Sequence, residues 1–398
     1  MGQAHLLERR AKPNERGKLR EVTRWVPTSV QNLLWGIAAG RCEFEGCNRP
    51  LWKNDLTQDV RVVGEKAHIR AFSTRGPRGR AGIGDEDVNT IENLMLLCPI
   101  CHVTIDRGDG PTRYGVERLR AMKSTHEARI NVACNVAADR ASHVLMYATH
   151  IGAHHAMPTL ADASLAVLTR RRYPASTTLD LSTRDGADPS IDIDFWRRET
   201  DRLTRQFDRQ VRQPSERGEI KHLSVFALAP QPLLIKLGSL LGDITPVDTY
   251  QRHREPPTWE WPPEARPIAF EIREPKNTNG PAALVLSISA TITRDRIERV
   301  LGADACIWSV TIPAPHNDAV KSAATLGAFR SSLRPMLDQI KAAHGHRTTL
   351  HVFPAVPVSL AVELGRVRMP KADMPWLLYD EQSSLGGFIP ALTIESGA

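Results

Sequence analysis

Six cysteines occur in 398 residues, and four of them stand in two pairs: Cys42 with Cys47 in RCEFEGCNRP, and Cys98 with Cys101 in LCPICHVTID. A C-x4-C and a C-x2-C knuckle about fifty residues apart can close a tetrahedral thiolate shell around zinc. Four soft ligands with no open position make a structural site rather than a reactive one. Cys134 and Cys306 lack a partner motif and read as plain thiols. If the cysteines complete their own shell, His102 is left over beside a ligand. Asp106 follows one helical turn later on the same face. Upstream, His68 lies in the extended segment GEKAHIRAF, and Asn93 sits between the histidines in ENLMLLC.

These residues need elements to hold them. The stretch 28–39 predicts a helix, with Thr28 or Ser29 to cap it and Gly40 to stop it. Residues 58–72 predict two short strands, or one strand bulged at Gly64. A long Gly- and Arg-rich loop follows, then the extended IENLMLLC. PICHVTIDRG predicts a short helix opened by Pro99, and 115–131 an amphipathic helix. The remainder changes character. HLSVFALAPQPLLIKLGSLLG (222–242), AALVLSISATITRDRIERVLG (282–302) and TLHVFPAVPVSLAVELG (349–365) each read as apolar strand, short loop, then a helix ending in Leu-Gly. That alternation predicts open α/β layers with parallel strands. A charged amphipathic helix is expected over 195–212, and the proline-rich 254–267 reads as a loop or junction.

Composition narrows the function classes. Residues 1–150 hold 23 Lys and Arg against 17 Asp and Glu, so nearly all of the net charge of +7 lies in the part with the cysteines. That balance suits a polyanionic partner there and argues against a large DNA-reading surface in the rest. No apolar run has membrane-spanning length, and the charged first stretch has no apolar core of a secretory signal. The expected compartment is the bacterial cytoplasm, without membrane attachment. The carboxyl-terminal region carries no Walker loop and no G-x-G-x-x-G.

Over residues 40–130 the motif AHI…NLMLLCPICH…ID, preceded by C-x4-C, resembles the His-Asn-His (HNH) nucleases with their ββα-metal fold. The resemblance implies that His68 is the general base, that Asn93 ties the connecting loop and orients the base, and that His102 holds a catalytic Mg2+ or Mn2+. Many members of that family carry a second metal ligand just before the base. Here that position is Ala67, so Asp106, or else Glu65, would complete the shell. Arg75, Arg78 and Arg80 of the loop would lie along the DNA backbone, joined by Arg118, Arg120 and Lys123 from the following helix.

The carboxyl-terminal segments, above all LHVFPAVPVSLAVELGR followed by PWLLYD, resemble the SAVED domain, a fusion of two CARF-like Rossmann halves. The order is similar to the HNH–SAVED effectors of CBASS, the bacterial anti-phage system that signals with cyclic oligonucleotides. The expected domains are therefore 1–131, HNH nuclease with its zinc site; 132–141, linker; and 142–398, SAVED sensor. The resemblance implies a largely sequence-nonspecific double-stranded DNase, activated by a cyclic di- or trinucleotide. The implied assembly is a homo-oligomer, dimeric and then larger on activation. Predicted strand ends supply the ligand floor at Pro230, Gln231, Ser289, Thr291, Ala355 and Val356. Tyr250, Arg252, Trp259 and Trp261 are candidates for base stacking or phosphate pairing, and each tryptophan also fits a core aromatic. Two other readings compete: a restriction-type HNH nuclease that recognises modified DNA, and a zinc-stapled DNA-binding regulator that does not cut.

Overall fold

A computed structural model describes residues 25–54, 56–71, 73, 76–79, 88–149, 157–183, 193–243, 245–382 and 386–396. The chain divides into two units between Asn135 and Val136.

In the first unit the helix Thr28–Ile37 begins after Pro27, which occupies the cap position with no side-chain cap from Thr28 or Ser29. Among the described residues of the segment expected to be extended over 58–72, only β1 (Glu65–His68) forms a ladder strand. The residues ahead of it fold back on the first cysteine knuckle instead. Arg61 and Val63 donate their N–H groups to Trp52 and Leu51, at 3.0 and 2.8 Å. β1 pairs antiparallel with β2 (Leu94–Leu97), which places Glu65 opposite Leu97 and His68 opposite Leu94. β2 is buried on both faces, as its unbroken apolar run LMLL requires. It passes directly into helix Pro99–Asp106, whose first position is proline and whose cap is Cys98. Helix Val116–Cys134 closes the unit, and Leu34, Leu51, Ile69, Leu94, Leu96, Ile105 and Leu119 fill its core. Glu43 joins the knuckle to β2: its N–H donates to Leu96 O at 2.9 Å and its carboxylate accepts from Leu96 N–H at 2.5 Å.

The second unit begins with β3 (Ala141–Ala148), β4 (Tyr173–Pro174), β5 (Leu179–Asp180), β6 (Leu223–Leu228) and β7 (Val247–Thr249). They make one parallel sheet in the order β4-β3-β6-β7, with β5 also on β3. Then follow β8 (Glu271–Arg273), β9 (Ala282–Ser287), β10 (Cys306–Thr311), β11 (Leu350–Ala355), β12 (Trp376–Gln382) and β13 (Gly387–Ile394). Their order is β13-β12-β11-β9-β10-β8, parallel in the centre and antiparallel at both edges. The expected helix over 195–212 is Ile193–Phe207 continued by a π-helical turn, Asp208–Arg212. The stretch 254–267 forms turns without helix or strand.

The three strand–helix units pair β6 with helix Gln231–Leu241, β9 with Arg294–Leu301, and β11 with Val358–Val367. Gly242 and Gly302 end the first two, but Gly365 lies inside the third. Its purpose is close approach. A Cβ on Gly365 would stand 1.9 Å from Ile235 O, and one on Gly238 2.0 Å from Val362 O. The helices behind the two sheets therefore cross backbone to backbone, through glycines that no larger residue could replace without separating them. Beside the crossing, fully buried Glu363 accepts from Thr249 Oγ1 at 2.6 Å and pairs with Arg366 at 2.8 Å and with Arg330.

Candidate functional site

The four paired cysteines converge. One sulfur from each of Cys42, Cys47, Cys98 and Cys101 lies within 4.8 Å of the others, in position to hold a metal ion. Backbone donors already point at the sulfurs: Cys98 N–H at Cys42 Sγ, 3.3 Å, and Cys101 N–H at Cys98 Sγ, 3.4 Å. Such N–H groups stabilise thiolate, and a cation offsets the burial that pushes the Cys42 thiol up to about 12. The donor set therefore fits a closed structural metal site. His102 is not among these ligands.

His102 instead lines a cleft of about 360 Å³ together with Lys66, His68, Arg78 and Asp106, among others. Both imidazoles thus open on one space. His102 Nδ1 contacts the Glu65 carboxylate, and its Nε2 stands 3.3 Å from Asp106 Oδ2. The hydrogen bond with Asp106 and the nearby Glu65 raise the His102 pKa against the opposing effect of burial. Burial would raise that of Asp106, but the bonds from His102 and Arg78 outweigh it and hold the carboxyl low.

The ring of His68 is held by a residue that the motif did not single out. Its Nε2 lies 3.0 Å from Oδ1 of Asn89, which is buried. An amide oxygen only accepts, so in this contact Nε2 is the donor. The bond expected from Asn93 is absent from the described contacts of that ring. Asn93 ties the loop: its amide donates to Arg70 O at 3.1 Å and to Val88 O at 2.9 Å, and accepts from Arg70 N–H at 2.9 Å. The signal for Asn89 was a second asparagine four residues earlier, in VNTIEN, where the chain turns back towards β1.

The basic residues need correction. Arg75 and Arg80 lie outside the described residues. Arg78 does not face solvent: its side chain is 4% exposed and its guanidinium is bonded to Asp106. Lys123 is also buried, 2.5 Å from Glu127 and 3.9 Å from Glu43. Arg118 pairs with Glu45 and lies over the Tyr114 ring at 4.9 Å, and Arg120 lies 3.4 Å from Glu117. Arg78 and Lys123 are thus drawn inward by acids, whereas Arg118 and Arg120 keep about half of their side chains exposed.

A second cavity, of about 540 Å³, belongs to the carboxyl-terminal unit. Pro230, Gln231, Arg252, Ser289 and Val356 all line it, beside Arg254 and Asp380. It sits past the carboxyl ends of β6, β7, β9, β11 and β12, where the second sheet switches direction about β9 and β11. The starts of helices Gln231–Leu241 and Val358–Val367 border it, and Gln231 Oε1 accepts from Val356 N–H at 3.0 Å. Ala355 shapes the floor through its carbonyl, which accepts from Ser289 N–H at 2.7 Å. Thr291 lines a different cavity, with Arg273 and Arg294. Tyr250 and Trp259 are core residues, 1% and 2% exposed, packed on Phe226. Trp259 lies under Arg252, 5.9 Å from its guanidinium, and half-buried Trp261 packs edge-on to His253. The aromatic platform read from 250–261 is therefore a support for the cavity wall, not its surface.

Among the described residues no helix is long and apolar enough to cross a membrane. A comparison with curated proteins gives no match. Among solved structures, the Acinetobacter baumannii Cap4 SAVED/CARF-domain containing receptor with the cyclic trinucleotide 2′3′3′-cAAA aligns at 11% identity and a TM-score of 0.43, over 72% of this chain and 61% of that one. The Moraxella osloensis Cap4 SAVED/CARF-domain containing receptor aligns at 12% identity and a TM-score of 0.36, over 56% and 48%. The chain thus spans about three fifths or less of the length of these structures. Family models are more specific. One for "HNH endonuclease" matches residues 42–109, and one for "SMODS-associated and fused to various effectors sensor domain", SAVED, matches residues 203–394. The first match spans the cysteine cluster and both imidazoles, and the second spans the cavity at the strand ends. The chain joins an HNH endonuclease domain to a SAVED sensor domain.

Proposed function

We propose that this chain is a ligand-gated, metal-dependent nuclease that degrades double-stranded DNA with little sequence preference. In this reading its SAVED domain binds a cyclic di- or trinucleotide, and binding drives self-assembly in cytoplasmic anti-phage defence. The observation that carries the nuclease reading is the shared cleft of His68, His102 and Asp106, built on a ββα unit whose cysteines are engaged elsewhere. Zinc suits the four thiolates, and magnesium or manganese suits an imidazole with a carboxylate.

His68 takes the proton of the attacking water, with its ring positioned by the contact of Nε2 with Asn89. Its strand, held in register with β2, fixes where that water stands. His102, with Glu65 or Asp106, would hold the divalent cation, which when bound offsets negative charge on the attacked phosphate and on the departing 3′-oxygen. Lys66, at the cleft wall, is placed to meet a phosphate of the substrate. Support for the sensor reading comes from Arg252 and Arg254 and two helix starts at one cavity, a setting that favours phosphate groups.

The test is plasmid cleavage by purified protein with Mg2+, with and without a panel of cyclic di- and trinucleotides, for the native chain and His68→Ala. The expected result is cutting that requires one ligand and is lost in the variant. Cutting that follows DNA methylation instead supports a restriction enzyme. DNA binding without cutting under any ligand supports a regulator.

A further inference from the structure

Arg78 belongs to the loop STRGPRGRAG, where its neighbours suggest a flexible cation on the surface. The geometry is different. Nε donates to Ile69 O at 2.7 Å, one terminal nitrogen donates to Ile105 O at 2.7 Å, and the other reaches Asp106 Oδ1 at 2.5 Å and His68 O at 3.5 Å. One planar fork thus joins the end of the base-bearing strand to the last turn of the helix that carries His102. The backbone of Arg78 is left-handed, at φ +54°, a conformation a non-glycine residue keeps only where its surroundings require it.

We infer that Arg78 is a positioning residue which, by holding Asp106, leaves Glu65 rather than Asp106 as the carboxylate that binds the divalent cation together with His102. The inference rests on the nuclease reading of this cleft. A cation on Asp106 would have to settle beside a permanent, buried guanidinium charge. Glu65 has no such neighbour among its described contacts. Its side chain is 45% exposed and touches His102 Nδ1, while Asp106 stands at Nε2. That is the arrangement in which one carboxylate orients an imidazole through its N–H and the opposite nitrogen binds metal. Arg78 therefore sets both the spacing of the two imidazoles and the nitrogen of His102 that meets the cation.

The test is Mn2+ affinity of the zinc-loaded full chain, measured by calorimetry and by the electron paramagnetic resonance signal of unbound Mn2+. Glu65→Gln is expected to weaken binding by about tenfold or more. Asp106→Asn keeps an acceptor for Nε2–H and is expected to cost less than about threefold. In an Arg78→Met background Asp106 is released, and there Asp106→Asn is expected to cost about tenfold. Equal losses for Glu65→Gln and Asp106→Asn in the native background would overturn the assignment, whether or not Arg78→Met folds. Mn2+ binding that His102→Ala leaves unchanged would instead sink the nuclease reading beneath it.

Discussion

Leu233, Leu237, Leu284, Leu286, Phe329, Val352, Leu360 and Trp376 are fully or almost fully buried in one continuous core behind the two sheets of the carboxyl-terminal unit. The amino-terminal unit has a smaller core around a two-stranded sheet of four-residue strands, and its functional side chains hang from polar ties. Each large buried side chain contributes about 1.5–3 kcal/mol, so the first kind of core supports itself. A two-stranded sheet does not. A structural zinc site contributes on the order of 10 kcal/mol, as much as the net stability of a typical domain. The contrast is between a sensor unit held by apolar burial and a nuclease unit tied by a guanidinium and by a thiolate cluster able to hold a metal. The second kind of unit can present charged groups to a cleft because its order does not depend on hiding them.

The largest effect that would break this contrast is metal removal. Chelation, or Cys98→Ser, is expected to abolish hydrogen-exchange protection over 42–106 while β6, β9 and β11 stay protected. Loss spread evenly over both units would show that the cysteines are not the specific support of the first. The converse experiment enlarges Gly365. Leucine there must push the two crossing helices apart, which is expected to cost the carboxyl-terminal unit about 3 kcal/mol in denaturant unfolding without changing the zinc content. A cost below about 1 kcal/mol would mean that the crossing yields easily.

A smaller effect concerns the sensor cavity. Burial pushes the Asp380 carboxyl up to about 6, and Asp380 lines that cavity with Arg252 and Arg254. Below that pH the group is neutral and does not repel a phosphate; above it the carboxylate does. Affinity for an activating cyclic nucleotide is therefore expected to rise by about three- to tenfold as the pH falls through this range, and Asp380→Asn should flatten the dependence. An unchanged slope in the variant would assign the pH effect to another group.

What the sequence made legible was local. The spacings of Cys42, Cys47, Cys98 and Cys101, the proline that opens helix 99–106, and the repeated strand–loop–helix rhythm depend on near neighbours. So does the approach of strand ends such as Gln231, Ser289 and Val356 to one cavity, once parallel strands are granted. Arg78 and Asn89 were misread or missed because their partners lie 28 and 21 residues away and belong to other elements, whereas Lys123 is held by Glu127 on its own helix, with Glu43 of the first knuckle further off. Tyr250 and Trp259 failed for a related reason: an aromatic beside a site and an aromatic beneath it have the same local sequence. Gly365 matched the helix-ending glycines in spacing, and only the facing helix reveals its packing role.

The central claim is that thiolates hold the scaffold while the imidazoles at 68 and 102 do the cutting. Zinc content measured alongside plasmid cleavage, for His68→Ala and His102→Ala, tests it most directly. The account predicts native zinc content in both variants and no cleavage by either under conditions where the native chain cuts. Zinc lost with His102, or cleavage retained without His68, would contradict it.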